Sequence, residues 1–177
     1  MIEVTDISSF DDIYKIMASS FPESERRSEA GQRALFADGR YKAAVKRGGD
    51  GEIVAFIAYW QLDGVTFLEH FAVDGSLRGG GLGGAFLDEL IAGLDLPIVL
   101  EVEPPETHIA ARRIAFYERH GFIVNDYPYL QPPLGEGRAA LPLKVMSYGA
   151  ALTEAQFERA RASIYAAVYK ADVEKYK

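Results

Sequence analysis

Residues 67–90 read FLEHFAVDGSLRGGGLGGAFLDEL, and this stretch decides the fold. Its apolar start predicts a strand that ends near Val73, and apolar residues at every fourth position from Leu82 to Leu94 predict a helix. Five of the six residues at 79–84, where the two elements meet, are glycine. Glycines let an incoming group approach the backbone closely, and the N–H groups in the first turn of a helix have no partners within it. Because the helix dipole adds positive charge at the same end, the stretch predicts a phosphate or pyrophosphate site.

Two other interpretations of the glycines are open. A glycine cluster is also typical of a flexible loop that binds nothing. The spacing of Gly79, Gly81 and Gly84 matches the dinucleotide fingerprint G-x-G-x-x-G, and Glu101 or Glu103 follows at about the place of a ribose-binding acid. Against this stands the order of elements, because a dinucleotide loop normally follows the first strand and here three or four predicted strands come earlier. A P-loop is excluded because no Lys followed by Ser or Thr closes the run.

Two motifs in the chain resemble those of the GNAT N-acetyltransferase superfamily. Residues 78–83, RGGGLG, fit R/Q-x-x-G-x-G/A, the pattern of the pyrophosphate-binding loop in that family. Residues 111–122, ARRIAFYERHGF, resemble the later helix of the family, which ends in Tyr-x-x-x-Gly-Phe. The resemblance extends over about residues 2–148. It departs from the family pattern at Ala110, where an asparagine is frequent.

The resemblance implies a fold and an activity. The expected fold is α/β (α+β), a GNAT-like acyl-CoA N-acyltransferase fold with a mixed, mostly antiparallel central sheet of about seven strands flanked by helices. The expected domain covers residues 1–149, and residues 150–177 are a helical extension packed on it. The expected activity is transfer of an acetyl group from acetyl-CoA to a primary amine of a small molecule or peptide, directly and in a ternary complex. The alternatives are a non-catalytic acyl-CoA-binding regulatory module and a dinucleotide-binding enzyme.

The expected binding residues for acetyl-CoA, the acyl donor, lie at the strand end, in the loop and on the later helix. Backbone N–H groups near the strand end would also meet the oxyanion, provided that the strands splay there. Because Ala110 replaces the frequent asparagine, an arginine on the later helix, Arg112 or Arg113, takes over contacts there. The complete set is Phe71, Ala72, Val73, Arg78, Gly79, Gly80, Gly81, Leu82, Gly83, Gly84 and Arg113.

An amine acceptor needs a base, because a lysine-type amine with a pKa near ~10.4 is protonated at neutral pH. Glu69 is the first candidate, since it interrupts an apolar strand where desolvation would raise its pKa toward a useful range. Many members of the resembled family carry a glutamate on this strand. If side chains alternate strictly along the strand, Glu69 lies on the same face as Phe67 and Phe71. A β-bulge would direct its side chain to the other face. His70 is the second candidate, and a structural role for either residue is the alternative.

The departing thiolate of CoA needs a proton or a hydrogen bond, which a tyrosine hydroxyl can supply. The resemblance assigns this role to Tyr117, the tyrosine of the Tyr-x-x-x-Gly-Phe motif. Its alternative role is that of a buried aromatic residue. In the resembled family the first two helices and their loop border the acceptor site, which makes Phe21, Glu23 and Glu25 candidates for acceptor contacts.

Composition limits the class of protein. Of the 177 residues, 49% are hydrophobic and 25% charged, which is typical of a globular domain and argues against disorder. The lack of cysteine excludes disulfides and thiolate ligands, and three scattered histidines predict no metal site. The net charge of −7 disfavours nucleic acid and favours a cationic small-molecule acceptor. No apolar run reaches membrane-spanning length, so we expect a cytoplasmic protein, monomeric or homodimeric.

Turn and capping signals predict the remaining elements. The glycines at 48–51 predict a hairpin between strands at 41–46 and 52–61. Ser8 or Ser9 is expected to cap the first helix, and Ser24 a second helix that continues to about Phe36. Residues 97–103 and 139–148 are predicted strands, the latter an edge strand because of its proline. The expected caps of the last two helices are Thr107 and a Thr153–Gln156 capping box.

Overall fold

The computed structural model describes residues 1–95 and 97–177. Its seven main strands have the order β1-β2-β3-β4-β5-β9-β6. The pairs β1–β2, β2–β3, β5–β9 and β6–β9 are antiparallel, and β7 and β8 form a separate antiparallel two-stranded sheet. The predicted α/β class, with about seven mostly antiparallel strands and flanking helices, is confirmed. The elements are β1 (Glu3–Thr5), α1 (Phe10–Ser20), α2 (Glu29–Ala34), β2 (Tyr41–Arg47), β3 (Ile53–Leu62), β4 (Val65–Val73), α3 (Leu82–Ile91), β5 (Ile98–Val102), α4 (His108–Arg119), β6 (Phe122–Asn125), β7 (Leu130–Gln131), β8 (Leu141–Pro142), β9 (Lys144–Tyr148) and α5 (Glu154–Ile164).

The chain forms two compact units, and strand β4 contributes residues to both. The first unit contains residues 1–61 and 68–94, and the second contains residues 62–67 and 95–177. Each unit has its own buried apolar residues, for example Phe56 and Phe86 in the first and Met146 and Phe157 in the second. The predicted boundary between a domain over 1–149 and an extension over 150–177 stays a prediction.

In the first unit, the predicted hairpin is confirmed. Strands β2 and β3 pair antiparallel, with Tyr41 opposite Trp60, and the pairing is irregular only near Arg47. The N–H of Gly48 donates to the carbonyl of Glu52 at 2.9 Å and closes the turn. Most of β3 is buried, which explains its long run of apolar residues.

The predicted start of the first helix is confirmed, since Ser9 is the N-cap residue of α1, but the predicted start of the second helix is wrong. Ser9 precedes α1 but its side chain makes no capping bond to the described residues, whereas Asp6 caps the 3₁₀ turn before it. Helix α2 is capped by Ser28, which accepts from the N–H of Gly31, and not by Ser24. The reason is tertiary. Arg26 donates to the hydroxyl of Tyr14 on α1 and has extended dihedral angles, so the helix begins only after this residue.

In the second unit, β9 lies between β5 and β6 and pairs antiparallel with both. The predicted edge strand over 139–148 is therefore wrong for its second half. The proline belongs to the short strand β8, and Lys144–Tyr148 forms an interior strand. The caps at Thr107 and at Thr153 with Gln156 are confirmed.

Helix α5 and the turn that follows it pack on the rest of the second unit. The ring of Tyr127 stacks on Phe157 at 4.7 Å between centroids, and its hydroxyl donates to the carbonyl of Leu152. A π-helical turn, Tyr165–Tyr169, continues α5, and the Tyr165 hydroxyl donates to the carbonyl of Leu130. The C-terminal residues thereby contribute to the core.

Candidate active site

The glycine loop leads into the N-terminus of α3 with the geometry of an anion site. Asp74 accepts hydrogen bonds from the N–H and hydroxyl of Ser76 and fixes the turn after β4. Gly79 and Gly81 have φ angles of 87° and 80°, which glycine adopts without strain. Gly81 is the N-cap of α3, and no side chain among the described residues caps this helix. The N–H groups in the first turn of α3 therefore have no side-chain cap among the described residues.

Gly83 serves packing rather than conformation. A Cβ atom there would lie 3.2 Å from Val73 and 3.4 Å from the ring of Phe71, so a larger residue would push α3 away from β4. The Phe71 ring also contacts Phe86 in an edge-to-face arrangement. The loop glycines are therefore needed for two different reasons. Gly79 and Gly81 adopt positive φ angles, and Gly83 allows the start of α3 to pack closely on β4.

Arg78 braces the loop. Its Nε donates to the carbonyl of Val73 at 3.1 Å and its Nη2 to the hydroxyl of Ser20 at 3.0 Å. The side chain borders an open cleft of about 330 Å³ between α1 and the turn after β4. Lys15 lines the same cleft and brings a second positive charge to it.

Glu69 lies in a sealed ionic contact. Its Oε1 is 2.7 Å from Nη2 of Arg27, and its Oε2 accepts from the indole N–H of Trp60 at 2.8 Å. The side chains of Arg27 and Glu69 are 10% and 3% exposed. The pair therefore lies in a low-dielectric environment, where removing either partner strands the other charge.

His70, the next residue of β4, contacts the same segment between α1 and α2. Its Nε2 lies 3.2 Å from the carbonyl oxygen of Glu25, and its ring meets Phe21 edge-to-face at 5.0 Å. Nδ1 is buried and has no hydrogen-bond partner among the described residues. This arrangement suits a neutral imidazole that donates from Nε2. Both base candidates thus anchor the segment in which acceptor contacts are predicted.

The expectation that burial raises the pKa of Glu69 is wrong. Burial alone acts in that direction, but the charge of Arg27, the nearby His70 and the hydrogen bonds from Arg27 and Trp60 outweigh it, and the pKa of Glu69 is lowered. The pKa of His70 is also lowered, chiefly by burial and against the attraction of Glu69. At neutral pH the carboxylate is ionised and the imidazole neutral.

Tyr117 lies in the second unit, on α4. Its half-buried ring contacts Phe122 at 5.6 Å, and Phe122 contacts Tyr148 at 5.5 Å. Gly121 has a φ angle of 88°, and a Cβ atom there would lie 2.8 Å from the Tyr148 ring. Burial raises the pKa of Tyr117 to about 12, against the opposing charge of Arg113. The hydroxyl is therefore protonated at neutral pH.

Arg113 projects from α4 with 43% of its side chain exposed, 3.9 Å from Glu103. Two acids were considered in the dinucleotide interpretation. Glu101 lies within β5, one residue before its end, and Glu103 follows directly after the strand. Residues 1–95 and 97–177 contain no group of three or more His, Asp or Glu side chains that could hold a metal ion. No helix in the same ranges is long and apolar enough to cross a membrane.

Arg27 and Trp60 were missed by the sequence reasoning. Arg27 lies in a charged stretch that is typical of a solvated surface, and Trp60 is the last residue of the apolar run within β3. A signal was present in the chemistry rather than the spacing, because a glutamate buried on a central strand requires a cation or several donors.

The model of the family described as "Acetyltransferase (GNAT) family" matches residues 10–122, more than half of the chain. The chain belongs to this family. A solved structure from Bacteroides thetaiotaomicron, described as a putative acetyltransferase from the GNAT family, is 34% identical in sequence. The match covers 97% of this chain and 99% of the chain in that structure, with a TM-score of 0.89.

A curated relative from Bacillus subtilis (strain 168), named "Putative acetyltransferase YjbC", is 32% identical over 111 residues. The match covers 62% of this chain and 55% of the relative, so the chain spans about half the length of that protein. A spermidine N-acetyltransferase from Vibrio cholerae shares the fold, with a TM-score of 0.63 and 12% identity. The match covers 90% of this chain and 99% of the chain in that structure.

Proposed function

We propose that this GNAT protein transfers an acetyl group from acetyl-CoA to a primary amine of a small molecule or peptide, directly and in a ternary complex. The uncapped N-terminus of α3 behind two left-handed glycines carries the proposal, because it offers backbone N–H groups and a positive dipole end to a pyrophosphate. Arg78 reaches the same ligand by exchanging its bonds to Val73 and Ser20. Arg113, exposed on α4, supplies a further positive charge.

Glu69 and Tyr117 are the proposed proton acceptor and donor. Glu69 is ionised, as a proton acceptor must be, but its lowered pKa makes it a weak base. The acceptor's ammonium group would replace Arg27 on the carboxylate before the proton moves. Tyr117 keeps its proton at neutral pH and donates a hydrogen bond to the departing thiolate. No covalent enzyme intermediate is needed, because the amine itself attacks the thioester.

A panel of amines with acetyl-CoA tests the activity. Thiol release with amino acids, polyamines or peptides, above the rate without acceptor, supports the proposal. Acetyl-CoA binding without thiol release from any of them would instead indicate a regulatory module. Binding of NAD or NADP in place of acetyl-CoA would indicate a dinucleotide enzyme.

Gly81→Glu tests the loop. The position has open space, so the carboxylate fits without a clash but occupies the anion site and repels a pyrophosphate. We expect acetyl-CoA binding to be lost in calorimetry. Gly51→Glu is the matched control, because Gly51 has a φ angle of 84° and equally open space in the hairpin. It carries the same backbone strain and should bind acetyl-CoA normally, whereas binding by Gly81→Glu would exclude the loop from the function.

A further inference from the structure

The segment of residues 21–28, which connects α1 to α2, has little apolar surface to hold it in place. Its 3₁₀ turn, Glu23–Glu25, contains no buried residue, and its two apolar residues, Phe21 and Pro22, are half-buried and exposed. The hydrophobic effect therefore contributes little to the position of the 21–28 segment. Segments with few buried apolar contacts open at a lower free-energy cost than the core of a protein.

Hydrogen bonds hold the 21–28 segment to α1 and to β4, both in the first unit. Arg26 donates from Nη1 to the hydroxyl of Tyr14 on α1 at 3.0 Å. The carbonyl oxygen of Glu25 accepts from Nε2 of His70 on β4 at 3.2 Å. The segment therefore cannot move away from the two elements without breaking these bonds.

The guanidinium of Arg27, in the same segment, blocks the carboxylate of Glu69. The Glu69 side chain is 3% exposed, and its Oε2 already accepts from the indole of Trp60. Its Oε1 lies 2.7 Å from Nη2 of Arg27, yet it receives no well-aligned hydrogen bond from the described residues. An acceptor nitrogen that directs an N–H bond at Oε1 would form a better bond to this oxygen, but it has no access while Arg27 is in place.

We propose that Arg27 and the 21–28 segment form a gate that must open before the acceptor binds, and that Arg27 occupies the position of the acceptor's ammonium group on Glu69 until then. The inference rests on the proposed role of Glu69 and adds a closed, acceptor-free state to it. A closed state lowers the apparent affinity for the acceptor in proportion to the fraction of molecules that are open. Contacts that hold the segment closed therefore raise KM for the acceptor without taking part in the chemistry.

Tyr14→Phe loosens this gate from the side of α1. The variant removes the hydroxyl that accepts from Arg26 and keeps the stacking of the ring on Phe10, at 5.4 Å between centroids. A hydrogen bond to a charged group changes an equilibrium constant about tenfold, so the open fraction should rise by about that factor. With the amine of the panel that has the highest kcat/KM, we expect KM to fall about tenfold while kcat and the Kd of acetyl-CoA stay unchanged. A loss of stability by itself would not lower KM.

Trp60 reports the opening of the gate without any acceptor. It is the single tryptophan of the chain, it is 1% exposed, and its indole N–H donates to Glu69. In isotope-labelled protein the indole therefore gives one NMR resonance, and its hydrogen exchange measures how often water reaches the bond to Glu69. We expect Tyr14→Phe to accelerate this exchange about tenfold, in step with the change in KM.

Tyr127→Phe is the matched control, since it removes a tyrosine hydroxyl that donates to the Leu152 carbonyl in the second unit. It should change neither KM nor the exchange of the Trp60 indole. Equal acceleration of the exchange in both variants would show that Trp60 exchanges by general unfolding, and would overturn the inference. An unchanged or raised KM in Tyr14→Phe would overturn it too, while leaving acetyl transfer intact. If the indole exchange responds as expected but no amine is acetylated, the gate opens and the proposed function is refuted instead.

Discussion

Two carboxylates on interior strands, Glu69 on β4 and Glu101 on β5, accept from different kinds of donor. Glu69 is 3% exposed in its side chain and is matched by the guanidinium of Arg27. Glu101 is half-buried, and its carboxylate accepts from the hydroxyl of Tyr169 and the amide of Gln131. The comparison shows that burial alone does not define the environment of a strand carboxylate, because the groups that donate to it also differ.

The largest expected effect comes from removing the cation of the sealed pair. Arg27→Met leaves the Glu69 carboxylate buried without its counter-ion, and we expect the free energy of unfolding to fall by about 3–5 kcal/mol. Urea denaturation measures it. The control is Arg33→Met, whose partner Asp11 is exposed, and which should cost less than about 1 kcal/mol. Equal losses in the two variants would show that the Arg27 pair is no stronger than a surface pair and would break the comparison.

The next effect concerns the chemistry of the sealed carboxylate. Glu69→Gln keeps an acceptor for Trp60 but cannot take a proton, and we expect kcat to fall by about 10²-fold with little change in the Kd of acetyl-CoA. The loss should shrink at high pH, where more of the acceptor arrives neutral. A role confined to anchoring would lower the rate equally at every pH.

Glu89→Gln is the control for that experiment, because Glu89 pairs with Lys46 on the surface of the same unit. Its kcat should equal that of wild type, and circular dichroism should show both variants folded. If Glu69→Gln kept full activity and a flat pH profile, the base would be His70, a water chain or no residue at all.

The smallest effect is a dependence of stability on pH that the sealed site contributes. The folded-state pKa values of His70 and Glu69 lie below their ordinary values of 6.5 and 4.5, so the unfolded chain binds more protons as the pH falls. The stability that they contribute is present above these values and is lost on acidification, first from His70 and then from Glu69. We therefore expect Tm to fall between pH 7 and 5.

His70→Gln removes the first component and keeps a donor for the Glu25 carbonyl, so its Tm should vary less over that range. His108→Gln, at an exposed position on α4, is the matched control and should keep the wild-type slope. The groups around His70 that shape the effect are Glu69, Arg27 and the Glu25 carbonyl. An unchanged slope in His70→Gln would show that His70 does not titrate with unfolding.

The glycine loop could be predicted from sequence because its determinants are local. Gly79 and Gly81 are needed for their own φ angles, and the periodic residues after them define α3. The hairpin at 48–51 and the cap at Thr153 are local in the same sense, and both are confirmed. The family motifs add the order of the elements.

The rest depends on contacts between segments that are distant in sequence. Desolvation of Glu69 was predicted to raise its pKa. The pKa is instead lowered, because Arg27, from the segment before α2, forms an ion pair with the carboxylate. The start of α2 was misplaced because Glu23–Glu25 form a separate 3₁₀ turn and Arg26, which donates to Tyr14 of α1, is extended. Tyr169 joins Glu101 only through the packing of the C-terminal turn, for which the family motifs contain no pattern.

The contact between Gly121 and Tyr148 couples a motif glycine to the proposed proton donor. Because Gly121 has no side chain, the Tyr148 ring can lie against its backbone. The Tyr148 ring contacts Phe122, and Phe122 in turn contacts Tyr117. A methyl group at this position would displace three aromatic rings, the last of which carries the hydroxyl. The glycine thus acts as a spacer that positions the Tyr117 ring through two other rings. If Tyr117 has its proposed role, a larger residue at position 121 would slow the reaction without weakening acetyl-CoA binding at the glycine loop.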